Sequence, residues 1–155
     1  MKTAGDILIV DDESDIRLLI GATLRDEGFT TMEAASAMEA RDLLAAKPPG
    51  LAILDIWMRD SDMDGLELLE WVKSVYPEVP VLMISGHGTV ETAVQAIRNG
   101  AYDFIEKPFK EDRLLLMVQR AFEASRLERE NAELRARVSE ESDPSIIGVS
   151  TQIKA

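Results

Sequence analysis

The residues best suited to chemistry are three aspartates, a serine and a lysine that lie close to short apolar runs. They are Asp11, Asp12, Asp55, Ser85 and Lys107. Apolar runs at 7–10, 51–54 and 81–84 come directly before the aspartate pair, Asp55 and Ser85. Each of these residues taken alone is commonly a turn, helix-cap or loop residue. The repetition of the same pattern along the chain favours a common site.

Three carboxylates held close together repel one another and tend to keep their protons unless a cation lies among them. Mg²⁺ prefers carboxylates, carbonyl oxygens and water, whereas zinc or copper would need histidine or cysteine ligands. The chain has no cysteine and one histidine, His87, which excludes a thiolate or multi-histidine centre within one chain. Lys107 would supply the positive charge that a transferred phosphoryl group needs. The set therefore predicts magnesium-assisted phosphoryl chemistry.

The elements that would position these residues alternate along the chain. The three apolar runs indicate strands buried on both faces, as in a parallel sheet. Weaker strands are predicted at 29–33 and 103–105. Helical spacing of apolar residues, with capping and breaking residues, predicts helices at 16–24, 37–47, 66–72 and 89–99. Alternation of this kind predicts a doubly wound α/β domain, in which ligands bind outside the carboxyl ends of the strands.

A long final helix is predicted from about 111 to 141, because glycine and proline are absent from that range. At 1.5 Å per residue it would be roughly 45 Å long, so its second half should project from the domain. Leu127, Asn131, Leu134 and Val138 follow heptad spacing, with Asn131 at a position that favours two strands. The pattern favours a short coiled coil, with a single solvated helix as the alternative.

The net charge of −12 argues against binding of nucleic acid by this chain itself. Residues 1–109 hold 20 acidic and 9 basic residues, so most of the excess lies in the predicted α/β domain. No apolar run approaches the roughly 18 residues of a membrane span, and the first residues do not resemble a signal peptide. These features predict a cytoplasmic protein without membrane contact.

Together the motifs resemble the receiver domain of bacterial two-component response regulators, over about residues 6–122. The stretch from Ser85 to Phe109 is most similar to the nitrogen-regulator (NtrC/NtrX) type, and to NtrX within it. The resemblance implies a flavodoxin-like, five-stranded parallel sheet with strand order 2-1-3-4-5. Residues 145–150 look like the opening of an AAA+ ATPase domain. The division implied is a receiver at 1–122, a projecting linker helix at 123–141, and a linker with the start of a truncated AAA+ domain at 142–155.

The resemblance also implies that Asp55 is the nucleophile, which takes a phosphoryl group from a sensor histidine kinase, here an NtrY-like partner. Asp11, Asp12 and Asp55 would hold Mg²⁺, or Mn²⁺ in its place, with the backbone carbonyl of Trp57. Phosphorylation would switch homodimerisation through a receiver face and the C-terminal helix. It would also switch the output of a downstream transcriptional activator. The chain would be no enzyme beyond phosphorylating and dephosphorylating itself. DNA would be bound through domains that this chain lacks.

Four further residues receive switch roles from the resemblance. Lys107 would pair with phosphoryl oxygens or, before transfer, with Asp55. Ser85 would bond to the phosphoryl group and move toward it, while Phe104 would swing inward as Ser85 moves. Pro108 would follow a cis peptide bond. Because Phe104 has no hydroxyl group, its movement would depend on packing alone.

The loop between Asp55 and Gly65 departs from the usual family pattern, since it is longer, more acidic and lacks the usual Met-Pro. This loop agrees with the NtrX type. One alternative function is a phosphatase with an aspartyl nucleophile. Such enzymes have a D-x-D motif after the first strand, whereas here neither Asp11 nor Asp12 is followed by an aspartate two residues later. The other is a dimerisation module that works without phosphorylation, against which the complete set of site residues argues.

Overall fold

The computed structural model describes residues 6–58, 62–86 and 89–141, with the backbone alone for 136–141. Within these ranges five strands alternate with five helices. The strands are β1 (Asp6–Val10), β2 (Thr30–Ala34), β3 (Leu51–Asp55), β4 (Val81–Ser85) and β5 (Asp103–Glu106). The helices are α1 (Ser14–Asp26), α2 (Ala37–Ala46), α3 (Gly65–Val75), α4 (Val90–Arg98) and α5 (Glu111–Glu141). The predicted alternation of elements is confirmed.

The five strands form one parallel sheet in the order β2-β1-β3-β4-β5. Each residue of the central strands β3 and β4 is buried, because helices cover both faces of the sheet. Val10 pairs with Leu54, and Asp55 pairs with Ile84, so the carboxyl ends of these strands lie at one edge. The predicted fold class and strand order are confirmed.

Apolar residues that alternate along the strands supply two cores, one on each face of the sheet. Leu8, Val10 and Leu54 face one core, together with buried residues of α2 and α3. Ile9 and Ile53 face the other core, with residues of α1 and α5. Burial of a leucine or isoleucine side chain contributes roughly 1.5–3 kcal/mol, so the two cores hold the strand ends in fixed register.

Short polar side chains cap α2, α3 and α4, and a glycine with positive φ follows α1 and α4. Thr89 accepts a hydrogen bond from the Thr92 N–H at the start of α4, where the sequence predicts the cap. Asp64 and Glu67 form a reciprocal capping box at the start of α3. Gly100 has a φ of +109°, which lets the chain turn from α4 into β5.

The last helix, α5, covers the range that the sequence predicts. The chain divides into two compact units, residues 1–123 and 124–155. In the second unit Leu127, Asn131 and Leu134 are exposed, a finding compatible with either a coiled-coil seam or a solvated helix. The coiled coil and the division at 122–123 therefore stay predictions, and the predicted AAA+ segment at 142–155 lies outside the described residues. Among those residues, no helix combines the length and the apolar character that spanning a membrane requires.

Candidate functional site

Backbone hydrogen bonds beyond the strand ends hold the predicted site residues at one edge of the sheet. The Asp11 N–H donates to the Ala34 carbonyl at 3.1 Å, which continues the pairing of β1 with β2. The Lys107 N–H donates to the Ser85 carbonyl at 2.8 Å, which fixes the chain after β5 against the end of β4. The peptide bond between Lys107 and Pro108 is cis, as the resemblance to receiver domains implies.

The structure brings the three predicted aspartates together. One carboxylate oxygen each from Asp11, Asp12 and Asp55 lies within 4.8 Å of the other two. Asp11 and Asp55 are buried, whereas Asp12 is half-buried. A cavity of about 1110 Å³ opens onto this group and is lined by Asp12 and Asp55 and by the predicted site residues Trp57, Ser85, Lys107 and Pro108.

Lys107 reaches into the acidic group, and one of its two nearest carboxylates, that of Glu13, was not singled out from the sequence. Its Nζ is 3.7 Å from Asp55 Oδ2 and 3.1 Å from Asp11 Oδ2. It also lies 3.1 Å from Glu13 Oε1, to which it donates a hydrogen bond. Only 13% of the Lys107 side chain is exposed, so solvent screens these contacts less than it would at an open surface.

The electrostatics of the site follow from burial and from like charge. Burial, with the negative charge of Asp11 added, raises the pKa of Asp55 from its ordinary 3.8 to about 7, although Lys107 opposes the shift. Burial also raises the pKa of Asp11. For Lys107, burial alone would lower the pKa, but the hydrogen bond to Glu13 and the charges of Asp55 and Asp11 raise it overall.

The residues present fit a hard divalent cation. Asp11 Oδ2 is buried and, among the described residues, it receives no aligned hydrogen bond, although the Lys107 ammonium lies 3.1 Å away. Buried carboxylate oxygens usually have donors or a metal ion as partners. The oxygen-rich donor set of Asp11, Asp12 and Asp55 suits Mg²⁺ or Mn²⁺, because both prefer carboxylate ligands.

Two residues with a role in the geometry were missed by the sequence analysis. Arg17 Nη1 donates to the Asp11 backbone carbonyl at 2.6 Å, and its Nε lies 3.5 Å from Glu33 Oε1 on β2. Arg17, which lies on α1, thus fixes the backbone at the end of β1 by this hydrogen bond. Glu13 provides the second carboxylate contact of Lys107. A signal for Glu13 existed, since it extends the run of acidic residues that begins at Asp11, but the spacing does not reveal its partner.

Phe104 lies beside the acidic cavity instead of within it. It is half-buried on β5 and lines a neighbouring cavity of about 890 Å³. Lys107 and Pro108 line both cavities and so connect them. The position of Phe104 in the neighbouring cavity is consistent with a ring that could move toward the acidic cavity. The movement itself stays a prediction, and His87 lies outside the described residues.

Comparison with known protein families gives a match to the response regulator receiver domain over residues 7–119. The matched range contains the acidic site and the five described strands, apart from the first residue of β1. The chain belongs to the response regulator receiver family.

Several relatives of this receiver are regulators of the NtrX type. It is 52% identical over 146 residues to an NtrX-like response regulator of Rickettsia bellii, covering 94% of this chain and 30% of the relative. It is 56% identical over 132 residues to the nitrogen assimilation regulatory protein NtrX of Azorhizobium caulinodans, covering 85% of this chain and 29% of the relative. The predicted resemblance to the NtrX type is confirmed. The receiver spans about 30% of the length of these relatives.

Two solved structures extend the comparison to three dimensions. The receiver domain of NtrX from Brucella abortus is 57% identical to this chain, with a TM-score of 0.74, and the match covers 76% of this chain and 98% of the other. The beryllofluoride-activated NtrC4 receiver domain dimer, solved in solution, is 39% identical with a TM-score of 0.73, over 77% of this chain and 98% of the other.

Proposed function

We propose that this chain is a phosphorylation-controlled switch and that Asp55 is its phosphoacceptor. The observation that carries the proposal is the convergence of the Asp11, Asp12 and Asp55 oxygens within 4.8 Å of one another, beside the Lys107 ammonium. Asp55 lies in the cavity wall and within 4 Å of Lys107. A nucleophile at this position has a cation beside it and access from the cavity.

The reaction that fits the site transfers a phosphoryl group from the phosphohistidine of a sensor histidine kinase, for which an NtrY-like protein is our candidate. A carboxylate oxygen of Asp55 attacks phosphorus, so a P–O bond forms as the P–N bond breaks. The electron pair of the P–N bond goes to the imidazole nitrogen of the kinase, which takes up a proton. The donor bond is already high in energy, so positioning and charge neutralisation are most of the work left to the receiver.

Asp11, Asp12 and Asp55, with the backbone carbonyl of Trp57, would hold Mg²⁺ or Mn²⁺. When bound, the cation would neutralise charge on the phosphoryl oxygens and allow Asp55 to react as the ionised carboxylate. Without a cation the ionised form of Asp55 is disfavoured, because burial and the charge of Asp11 raise its pKa to about 7. The electrostatics of the chain and the ligand set thus both support a bound dication.

Phosphorylation would select one of two states of the receiver. Ser85 ends β4 at the wall of the cavity, where its hydroxyl group can turn toward a phosphoryl group on Asp55. Phe104 lies on the adjacent strand, β5, and would move inward as Ser85 moves. We further propose that the two states differ in homodimerisation, through a receiver face and the C-terminal helix. The dimer of the related NtrC4 receiver supports this.

In the same proposal, the receiver works in the cytoplasm and controls a transcriptional activator in nitrogen-related signalling. The support is the NtrX relatives, which are about three times as long as the range matched here. DNA contact would belong to other domains of such a regulator. The net charge of −12 makes this chain itself poorly suited to binding phosphate backbones. Its own chemistry would be limited to phosphorylating and dephosphorylating itself.

The direct test is incubation with a small-molecule phosphodonor and Mg²⁺, followed by measurement of intact mass. The wild type should gain one phosphoryl group and Asp55→Asn none, while Asp42→Asn, a change at an exposed position of α2, should behave as wild type. An unchanged adduct in Asp55→Asn would refute the proposal. Repeated turnover of a phosphate ester, lost in Asp11→Asn but kept in Asp55→Asn, would instead indicate the phosphatase alternative.

A further inference from the structure

Glu13 occupies the N-cap position of α1, where a short polar side chain usually accepts hydrogen bonds from the first turn. Within the described residues, the Glu13 side chain accepts no such capping bond. Its carboxylate instead accepts a hydrogen bond from Lys107 Nζ at 3.1 Å. Its backbone N–H donates to Asp11 Oδ1 at 2.9 Å. Glu13 thus contacts two members of the acidic site.

The distances around Lys107 show that its ammonium group is displaced from the proposed phosphoacceptor. The Nζ atom lies 3.1 Å from both Asp11 Oδ2 and Glu13 Oε1, but 3.7 Å from Asp55 Oδ2. A separation of 3.7 Å is too long for a hydrogen bond. The hydrogen bond of the Lys107 ammonium therefore goes to Glu13 and not to Asp55 Oδ2.

We propose that Glu13 is a positioning residue that holds the Lys107 ammonium away from Asp55 until a phosphoryl group competes for it. The proposal rests on the proposed phosphorylation of Asp55. Anionic oxygens attached to Asp55 would attract Lys107, which must give up its hydrogen bond to Glu13 in order to move closer. The apparent affinity for a phosphoryl group is then proportional to the fraction of molecules in which Lys107 is released from Glu13. It is therefore lower, the more often Glu13 holds Lys107.

Asp11 does not play the same part, although it is equally close to Lys107. The Asp11 carboxylate is buried and directed into the acidic group, so its attraction keeps Lys107 inside the site. The Glu13 side chain is 62% exposed and draws Lys107 toward the outside. Because solvent weakens ion pairs at this exposure, the expected effect is modest, roughly 1.5- to fivefold in binding.

The experiment measures the affinity for beryllofluoride, an analogue of the phosphoryl group, at saturating Mg²⁺. Trp57 lines the cavity, so tryptophan fluorescence can report binding. Glu13→Gln keeps the length of the side chain and removes its charge. Glu13→Asp keeps the charge, but it is one methylene shorter and suits capping of α1. Both variants should bind beryllofluoride roughly 1.5- to fivefold more tightly than the wild type.

Glu39→Gln is the matched control for loss of negative charge. Glu39 lines the same cavity, and its carboxylate accepts a hydrogen bond from the Ala35 N–H at 2.7 Å, which glutamine can also accept. This control should change the affinity less than either Glu13 variant. The proposal is wrong if Glu13→Asp has the wild-type affinity for beryllofluoride while Glu13→Gln and Glu39→Gln increase that affinity equally. In that case loss of negative charge in general explains the tighter binding.

The design separates failure of the inference from failure of the proposed function. If the wild type binds beryllofluoride with Mg²⁺ and neither Glu13 variant binds it more tightly, the positioning role is wrong and the phosphoacceptor role is unaffected. If the wild type does not bind beryllofluoride, the proposed function fails, and the role of Glu13 fails with it. Thermal unfolding of each variant verifies that the affinities are measured on folded protein.

Discussion

Replacement of Asp55 by asparagine should stabilise the metal-free protein, and the gain should grow with pH. The folded protein raises the pKa of Asp55 from 3.8 to about 7, chiefly through burial. Between these two values the folded state holds a proton that the unfolded state has lost, so stability falls as pH rises. Asparagine removes this penalty because it does not ionise.

The size of the effect follows from the shift. Each unit of pKa corresponds to about 1.4 kcal/mol, so a shift of roughly three units costs about 4 kcal/mol once Asp55 is ionised in the folded state. At pH 5 the cost is smaller, roughly 1–2 kcal/mol, because the unfolded state has lost its proton and the folded state has not. The advantage of Asp55→Asn in the free energy of unfolding should therefore increase by about 2–3 kcal/mol between pH 5 and pH 8.

The assay is urea unfolding, followed by circular dichroism in the presence of a chelator, at pH 5, 6, 7 and 8. Asp42→Asn, at an exposed position of α2, controls for a general loss of negative charge. Removal of Asp55 leaves Lys107 with its contacts to Asp11 and Glu13, so no buried ammonium is left unpaired. A difference between Asp55→Asn and wild type that stays constant with pH, or shrinks toward pH 8, would refute the electrostatic reasoning.

Three further predictions concern other parts of the molecule. Gly65→Ala should lower the free energy of unfolding by about 3 kcal/mol or more in urea, because its Cβ atom would collide with the Asp55 carbonyl oxygen; unchanged stability would contradict this packing. Lys107→Ala should bind Mg²⁺ several-fold more tightly by calorimetry, since the ammonium competes with the cation, and weaker binding would show that Lys107 assists it. Asn131→Leu should strengthen self-association in sedimentation and broaden the range of oligomers, whereas a monomeric variant would favour a solvated helix.

The fold could be predicted because its main signals are local in the sequence. The apolar runs that became β1, β3 and β4 are bounded by polar residues, and a strand buried on both faces needs such a run. The edge strand β2 gave a weaker signal, because one side of it meets solvent, and it begins at Thr30, one residue after the predicted start. Strand order required the resemblance to a known family, since no local pattern encodes it.

The convergence of the candidate site could be predicted for a topological reason. The carboxyl ends of parallel strands share one edge of the sheet, so Asp11, Asp55 and Ser85 had to meet there. The partner of Lys107 could not be predicted, because a long side chain can reach several carboxylates. Its choice of Glu13 and Asp11 over Asp55 depends on differences of less than 1 Å. The contact of Arg17 with the Asp11 carbonyl depends on the same tertiary detail.

The measurement that tests the central claim most directly is the location of the phosphoryl group within the chain. Borohydride reduces an aspartyl phosphate to homoserine, so treatment of the phosphorylated protein followed by peptide mass spectrometry identifies the acceptor. Homoserine at position 55, dependent on Mg²⁺ and absent without the phosphodonor, is the predicted result. Homoserine at Asp11 or Asp12 in place of Asp55, or none at all after phosphodonor treatment, would contradict the proposed role of Asp55.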